Sequence, residues 1–198
     1  NGNPAISFYD VTNSALYFVR ASNVNGTAWN SPVEVDNSGN VGQYNSLAIV
    51  NGNPAISFYD GTSGRLKYVR ADNADGSSWT TAPVTVENSF AGTHTSITVV
   101  NGNPAISYKN AFNTDLYFVR ASDANGTTWN TPVLVDNSVN VHHTSLMIVN
   151  SNPAISYYDE TNTALIFVRA SNADGTAWNS PVQVDNAAAV GQYTSLAI

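Results

Sequence analysis

One heptapeptide is written along this chain four times. Asn1–Ser7 reads NGNPAIS, Asn51–Ser57 and Asn101–Ser107 repeat it letter for letter, and Asn150–Ser156 differs by one serine. Further on, YFVRASNVNGTAW, KYVRADNADGSSW, YFVRASDANGTTW and IFVRASNADGTAW fall in register. A period of about fifty residues implies a solenoid, a propeller or an array, in which no unit buries its apolar face alone. The units run 1–50, 51–100, 101–149 and 150–198, and they read as one domain (or half of a ring). Repetition also limits function, because chemistry needs different residues in different roles and a repeat offers mostly the same residue four times.

The second unit with its lead-in shows what one repeat builds. Ser46–Val50 is short and β-prone. Asn51-Gly52 follows, a pair that tolerates the two positive φ angles of a tight hairpin. Pro54–Tyr59 returns, with its proline at the first strand position, where a missing N–H does least harm. Leu66–Ala71 is a third strand and Pro83–Val86 a fourth, with polar turns between them. Four short antiparallel strands per unit, with no helical period, predict an all-β fold: a β-propeller of four-stranded blades, four blades per chain. A β-solenoid has shorter coils and lacks hairpin signals, and a sandwich does not explain the period. Trp29, Trp79, Trp129 and Trp178 recur once per unit. Each reads first as a wedge between blades and second as a stacking platform for a sugar.

Composition excludes several classes. Lys and Arg total 7 against 14 Asp and Glu, a net charge of -7, which argues against nucleic acid and against an anionic membrane surface. There is no cysteine, hence no disulfide framework, thiolate metal site or cysteine nucleophile. No apolar run approaches the roughly 18 residues of a membrane span. The neutral polar surface fits an extracellular or cell-surface bacterial protein, and the chain reads as a segment that begins and stops inside a repeat.

The turn before each tryptophan resembles an Asp-box, the Ser-x-Asp-x-Gly-x-Thr-Trp hairpin of many propellers: Ser22…Gly26…Trp29, Ser122…Gly126-Thr127-Thr128-Trp129 and Ser171…Gly175…Trp178. The Asp column instead holds Val24, Ala74, Ala124 and Ala173, with acidic or amide residues one place later at Asn25, Asp75, Asn125 and Asp174. The whole unit is similar to the repeats of uncharacterised, highly repetitive bacterial propeller proteins. The resemblance implies structural turns, remote from any ligand. A calcium loop is disfavoured, because Asn23-Val24-Asn25-Gly26 has no carboxylate.

A first-strand segment, Ser195–Ile198, comes last, and it is expected to seal a ring. It could pair with Pro4–Asp10 of its own chain, giving a four-bladed monomer, or with another copy. A homodimer of eight blades is the favoured expectation, and a larger assembly is the third.

Two variable columns are expected at the channel mouth. The first is Tyr44, His94, His143 and Tyr193, two residues before the inner strand, with His142 beside His143. The second is Tyr9-Asp10, Tyr59-Asp60, Lys109-Asn110 and Tyr158-Asp159. Tyr, Asp and Asn suit a sugar or a peptide, by stacking and hydrogen bonding. The plainer readings are packing for the histidines and turn-capping for Asp10, Asp60 and Asp159. No metal site is expected, because the His142-His143 pair has no matching partner in the other units, and no cofactor is implied.

Sialidases, which carry Asp-boxes, bind a carboxylate with three arginines and use a Tyr–Glu nucleophile. Arg20, Arg70, Arg120 and Arg169 end the third strands, beside the Asp-box-like turn and away from the expected mouth, so they read as structural partners of a carboxylate or an aromatic ring. Glu34, Glu87 and Glu160 form no repeated pair of the kind glycoside hydrolysis uses. The expectation is therefore a non-catalytic binding or display scaffold with no enzyme activity, with a multivalent lectin and a sialidase-like glycosidase as the alternatives.

Overall fold

The computed structural model describes residues 2–198; Asn1, where the first unit starts, lies outside the described residues. The chain is a β-propeller. Sheet one holds β1 (Ala5–Asp10), β2 (Ala15–Arg20) and β3 (Val33–Asp36). Sheet two holds β4 (Val41–Val50), β5 (Asn53–Asp60), β6 (Arg65–Arg70) and β7 (Val84–Glu87). Sheet three holds β8 (Ala91–Val100), β9 (Asn103–Asn110), β10 (Leu116–Arg120) and β11 (Val133–Asp136). Sheet four holds β12 (Val141–Val149), β13 (Asn152–Asp159), β14 (Ala164–Arg169) and β15 (Val182–Asp185). Within each sheet the strands pair antiparallel in chain order, and the described residues contain no α-helix.

Local chemistry accounts for the hairpins. Asn51 and Gly52 both take positive φ, 44° and 82°, so that Val50 pairs with Asn53 and β5 returns along β4. The arginines at the ends of the third strands hold this turn from below. Arg70 donates from Nε to the Val50 carbonyl at 2.9 Å and from Nη2 to the Asn51 carbonyl at 2.8 Å. Arg120 and Arg169 do the same for their own hairpins. Their main partners are backbone carbonyls rather than a carboxylate or a ring, although Arg120 also lies 3.4 Å from Asp174.

The middle strands of sheets two and three are apolar on both faces because those sheets are covered on both sides. Ala55, Ile56 and Phe58 of β5 are all 0% exposed. Full burial of an Ile or Phe side chain stabilises by about 1.5–3 kcal/mol. Three apolar clusters fill the three junctions between successive sheets. Each junction is wedged by a tryptophan: Trp79 packs on Phe18, Trp129 on Tyr68 and Trp178 on Phe118. The indole N–H donates to the glycine carbonyl three residues earlier, which holds the ring in the turn. The turn itself is anchored one place before the expected column. The side chains of Asn23, Asn73, Asp123 and Asn172 accept from the backbone N–H of Thr27, Ser77, Thr127 and Thr176.

Sheet one has three strands rather than four, and none of the described residues pairs with the free edge of β1. Val190–Ile198 belongs to no strand. It nevertheless lies where a further inner strand would lie. Leu196 donates to Ser145 Oγ at 3.0 Å, as Ile97 does to Ser46 and Leu146 to Ser96 in the complete blades. Closure by Ser195–Ile198 pairing with Pro4–Asp10 of the same chain does not occur here. Both ends of the array are therefore open. Ile6 is 49% exposed, whereas its equivalents Ile56, Ile106 and Ile155 are sealed.

Candidate functional site

The inner strands are longer than the sequence implied. β4 begins at Val41 rather than Ser46, so Tyr44, like His94 and His143, lies inside a strand and not in a loop before it, while Tyr193 lies outside any strand. The first three do so at a bulge. Gln43 pairs with Tyr59 and Ser46 with Ser57, which puts one residue too many on β4. Tyr44, His94, His143 and Tyr193 all adopt the left-handed conformation, with φ between 51° and 55°. That twist turns their side chains out of the pleat. The next unit secures two of these distorted backbones: Thr95 donates its hydroxyl to the Tyr44 carbonyl at 2.8 Å, and Thr144 donates to the His94 carbonyl at 2.7 Å. A buried Ser57–Thr95 hydroxyl pair, repeated as Ser107–Thr144, supports these threonines.

The outcome is a file of aromatic rings. Tyr44 lies 4.6 Å from His94, His94 lies 4.6 Å from His143, and His143 lies 4.0 Å from Tyr193, centroid to centroid. With Asn45, Thr95, Thr144 and Thr194 they line a depression of about 290 Å³ to which every unit contributes the same two positions. This first column of candidate residues is brought together.

The second column divides. Lys109 reaches the site, its ammonium donating to Asn140 Oδ1 at 2.7 Å and lying 3.0 Å from His142 Nε2. Tyr59 is beside it, its ring 6.4 Å from Tyr44. Tyr158 is buried opposite His142 in the β12–β13 ladder, and Tyr9 donates to Asn40. Asp10, Asp60, Asn110 and Asp159 cap the turns after their strands. They accept from Thr12 and Asn13, from Thr62 and Ser63, from Phe112 and Asn113, and from Asn162. Asp60 also pairs with Lys67 at 3.2 Å.

Two further side chains, His142 and Glu160, complete the site. Units one and two carry a glycine bulge here: Val41 pairs with Asp60 and Gln43 with Tyr59, which leaves Gly42 as an extra residue. Gly42 sits at φ 103°, where a Cβ would meet that of Leu16 at 2.8 Å. The third unit, 101–149, is one residue shorter than the second, and the lost residue is this glycine. Val141 pairs with Asp159 and His142 directly with Tyr158. His142 is thereby held against its neighbours. Its Nδ1 is 3.0 Å from His94 Nε2, and its Nε2 is 3.1 Å from Glu160 Oε2. Asn140 also donates to that Glu160 oxygen. The sequence expectation that the His142-His143 pair stands alone is corrected: His94, from the unit before, closes the group. The unequal unit length was the signal available in the sequence.

Electrostatics favour neutral imidazoles. Burial, then the charges of His142, His143 and Lys109, lower the His94 pKa to about 3. Burial and Lys109 lower His142 against the pull of Glu160, and burial, His142 and Lys109 lower His143. Lys109 is itself lowered by burial, partly offset by Glu160.

No protein-family model and no curated protein sequence matches the chain. Solved structures do. An exo-β-1,3-galactanase from Phanerochaete chrysosporium matches with a TM-score of 0.63 at 13% identity, over 93% of this chain and 48% of that one. An α-L-arabinofuranosidase from Clostridium thermocellum matches with a TM-score of 0.64 at 13% identity, over 93% and 70%. The NanB sialidase from Streptococcus pneumoniae matches with a TM-score of 0.63 at 14% identity, over 91% and 30%. The chain thus spans about half the length of the galactanase. At these identities the likeness establishes the propeller fold. The expectation of a non-catalytic scaffold is corrected, since the galactanase, the arabinofuranosidase and the sialidase that share this architecture are glycosidases, and the expectation of no enzyme activity is not supported.

Proposed function

We propose that this chain acts on carbohydrate, with the axial depression as its sugar site and Glu160 as its acid–base group. The observation that carries the reading is the convergence of Tyr44, His94, His143 and Tyr193 on one depression. Aromatic faces stack on the apolar faces of sugar rings, and polar neighbours bind their hydroxyls. Here Asn45, Thr95, Thr144 and Thr194 are those neighbours. The galactanase, arabinofuranosidase and sialidase that share the fold make a glycan the natural ligand class.

Glycosidic cleavage needs a carboxyl group beside the sugar to exchange a proton with the leaving oxygen, ordinarily one of a pair. Glu160 is the glutamate at this site, half exposed and held by His142 and Asn140. Asp159, adjacent in the chain, is committed to its turn. The Asp-box-like turns, anchored by Asn23 and its equivalents, take no part and serve the blade junctions.

The test is sugar release from β-1,3-galactan, arabinan and an aryl sialoside, together with glycan retention on an array. Glu160→Gln is expected to lower turnover by about 10²-fold or more, and Tyr193→Ala to weaken retention with the fold intact by circular dichroism. A wild-type chain that neither retains a glycan nor releases sugar from any of the three substrates removes the proposal.

A further inference from the structure

We propose that His94, His142 and His143 form a binding site for a divalent transition-metal ion of the zinc class, one ion per chain. The proposal stands on geometry and does not rest on the carbohydrate reading. One ring nitrogen from each histidine can be chosen so that all three lie within 4.8 Å of one another. Zinc binds imidazole at about 2.0–2.1 Å, so two nitrogens on one tetrahedral ion stand about 3.3 Å apart. His94 Nε2 and His142 Nδ1, 3.0 Å apart, are already near that spacing. Their placement is enforced by the backbone. The left-handed bulges at His94 and His143 aim two rings at the axis, and the missing glycine brings in the third.

The surroundings supply an independent argument. A histidine that binds a metal through one nitrogen almost always donates its other N–H to a carboxylate or carbonyl, which fixes the tautomer. His142 Nε2 faces Glu160 Oε2 at 3.1 Å, while Nδ1 faces His94. Lys109 competes for the same Nε2 at 3.0 Å, as donor to its lone pair. Both bonds cannot form through one nitrogen. With an ion on Nδ1, Nε2 carries the proton and donates to Glu160, and Lys109 keeps its bond to Asn140. The ammonium opposes a dication by charge, and the carboxylate offsets it. Imidazole ligands suit zinc, cobalt, nickel and copper. Calcium wants six to eight oxygens, which three imidazoles do not provide. The fourth position of the ion opens on the axial depression lined by Tyr44 and Tyr193, where a water molecule completes a site of the open kind.

The repeats supply the control variant. His94→Tyr, His143→Tyr and His142→Gln install residues that other units carry at the same places, as Tyr44, Tyr193, Gln43 and Gln192. The triple variant is therefore expected to fold. The full chain, stripped with chelator, is dialysed against zinc, and its cobalt(II) adduct is read by visible absorption. One zinc per chain and the intense bands of tetrahedral cobalt are expected. The triple variant should bind at least about 100-fold more weakly. Glu160→Gln should weaken binding about 10–100-fold, and Lys109→Tyr, the residue of the other units, should tighten it. Zinc binding unchanged in the triple variant would overturn the proposal, and so would octahedral cobalt spectra or a preference for calcium over zinc. Sugar retention is scored separately, so either proposal can fail without the other.

Discussion

The indole of Trp79 lies against the ring of Phe18 in the preceding sheet, with centroids 5.4 Å apart and planes tilted by 56°. The same contact recurs as Trp129 on Tyr68 at 5.2 Å and Trp178 on Phe118 at 5.3 Å. At the open ends it is missing on both sides. Trp29 is 41% exposed with no ring of the described residues against it, and Phe167, which holds the Phe18 position in sheet four, faces no following sheet. The two ends are complementary by the rule that built the junctions between them. A second copy, docking Trp29 on Phe167, is therefore the expected occupant, and two such junctions close eight blades. Light scattering should return a mass above the 21.0 kDa of one chain. Trp29→Ala should shift the population to monomer, since a truncated interface tryptophan commonly costs about 2 kcal/mol or more. A wild-type chain that stays at 21.0 kDa sinks this prediction.

Phe58→Tyr is expected to stabilise the fold. Between sheets three and four the Tyr157 hydroxyl donates to Asp136 Oδ2. The equivalent pair between sheets one and two is Phe58 and Asp36, and Asp36 Oδ2 is buried without a partner. A hydroxyl there should contribute about 1–2 kcal/mol, or roughly 2–4 °C in melting temperature per kcal/mol for a chain of this size. Thermal unfolding decides it: an unchanged or lower midpoint means that the hydroxyl finds no room.

Acid should loosen the turns that carry Asp72 and Asp123. Asp72 is lowered to about 2, first by the Thr80 N–H and then by the Ser78 and Thr80 hydroxyls. Burial raises Asp123, but bonds from Thr128 and Thr127 outweigh it and lower the pKa. A depressed folded-state pKa means stability that is present above the unfolded value of about 3.9 and lost as pH falls through the folded one. Melting curves should therefore show a steeper loss between about pH 4 and pH 2 in wild type than in Asp72→Asn. Parallel losses in the two proteins would contradict this.

Inserting one glycine between Val141 and His142 should restore the bulge of the second unit. In the units that keep it, the His142 position is held by Gln43, which donates to Asn40, and by Thr93, which donates to the Lys109 carbonyl, rather than to a ring of the file. The insertion variant should fold, since Gly92 occupies the same place in unit two at φ 106°. Its zinc affinity should drop toward that of the triple variant, and dialysis reads the change directly. The opposite manipulation, Gly92→Ala, should destabilise, because a Cβ there would lie 2.8 Å from the Leu66 backbone.

Period and hairpin chemistry were legible along the chain. Asn51-Gly52, the proline that opens β5 and the once-per-unit tryptophan each name a local geometry that neighbouring residues can enforce. The inner strands were harder to read, because Tyr44 and His94 occupy a left-handed bulge that asks for glycine by local preference. The Thr95 and Thr144 hydroxyls of the following unit, bonded to their carbonyls, support that conformation from far along the chain. The candidate site was half legible. The column of Tyr44, His94, His143 and Tyr193 was visible as a variable position, whereas the place of Glu160 beside His142 was not, since Glu160 appears once and far from its partners in the chain.

What the amino-acid order determined by itself was the blade: four short strands, their turns, and an apolar face on each side that demands a neighbour. Those are local consequences of short, continuous β-prone runs bounded by turn residues. What the tertiary structure decided was which single departures from the repeat meet. His94 and His142 are 48 positions apart yet 3.0 Å apart in space. The reason is geometric: stacked sheets place equivalent positions such as His94 and His143 side by side around an axis, and the shortened unit brings His142 in beside them.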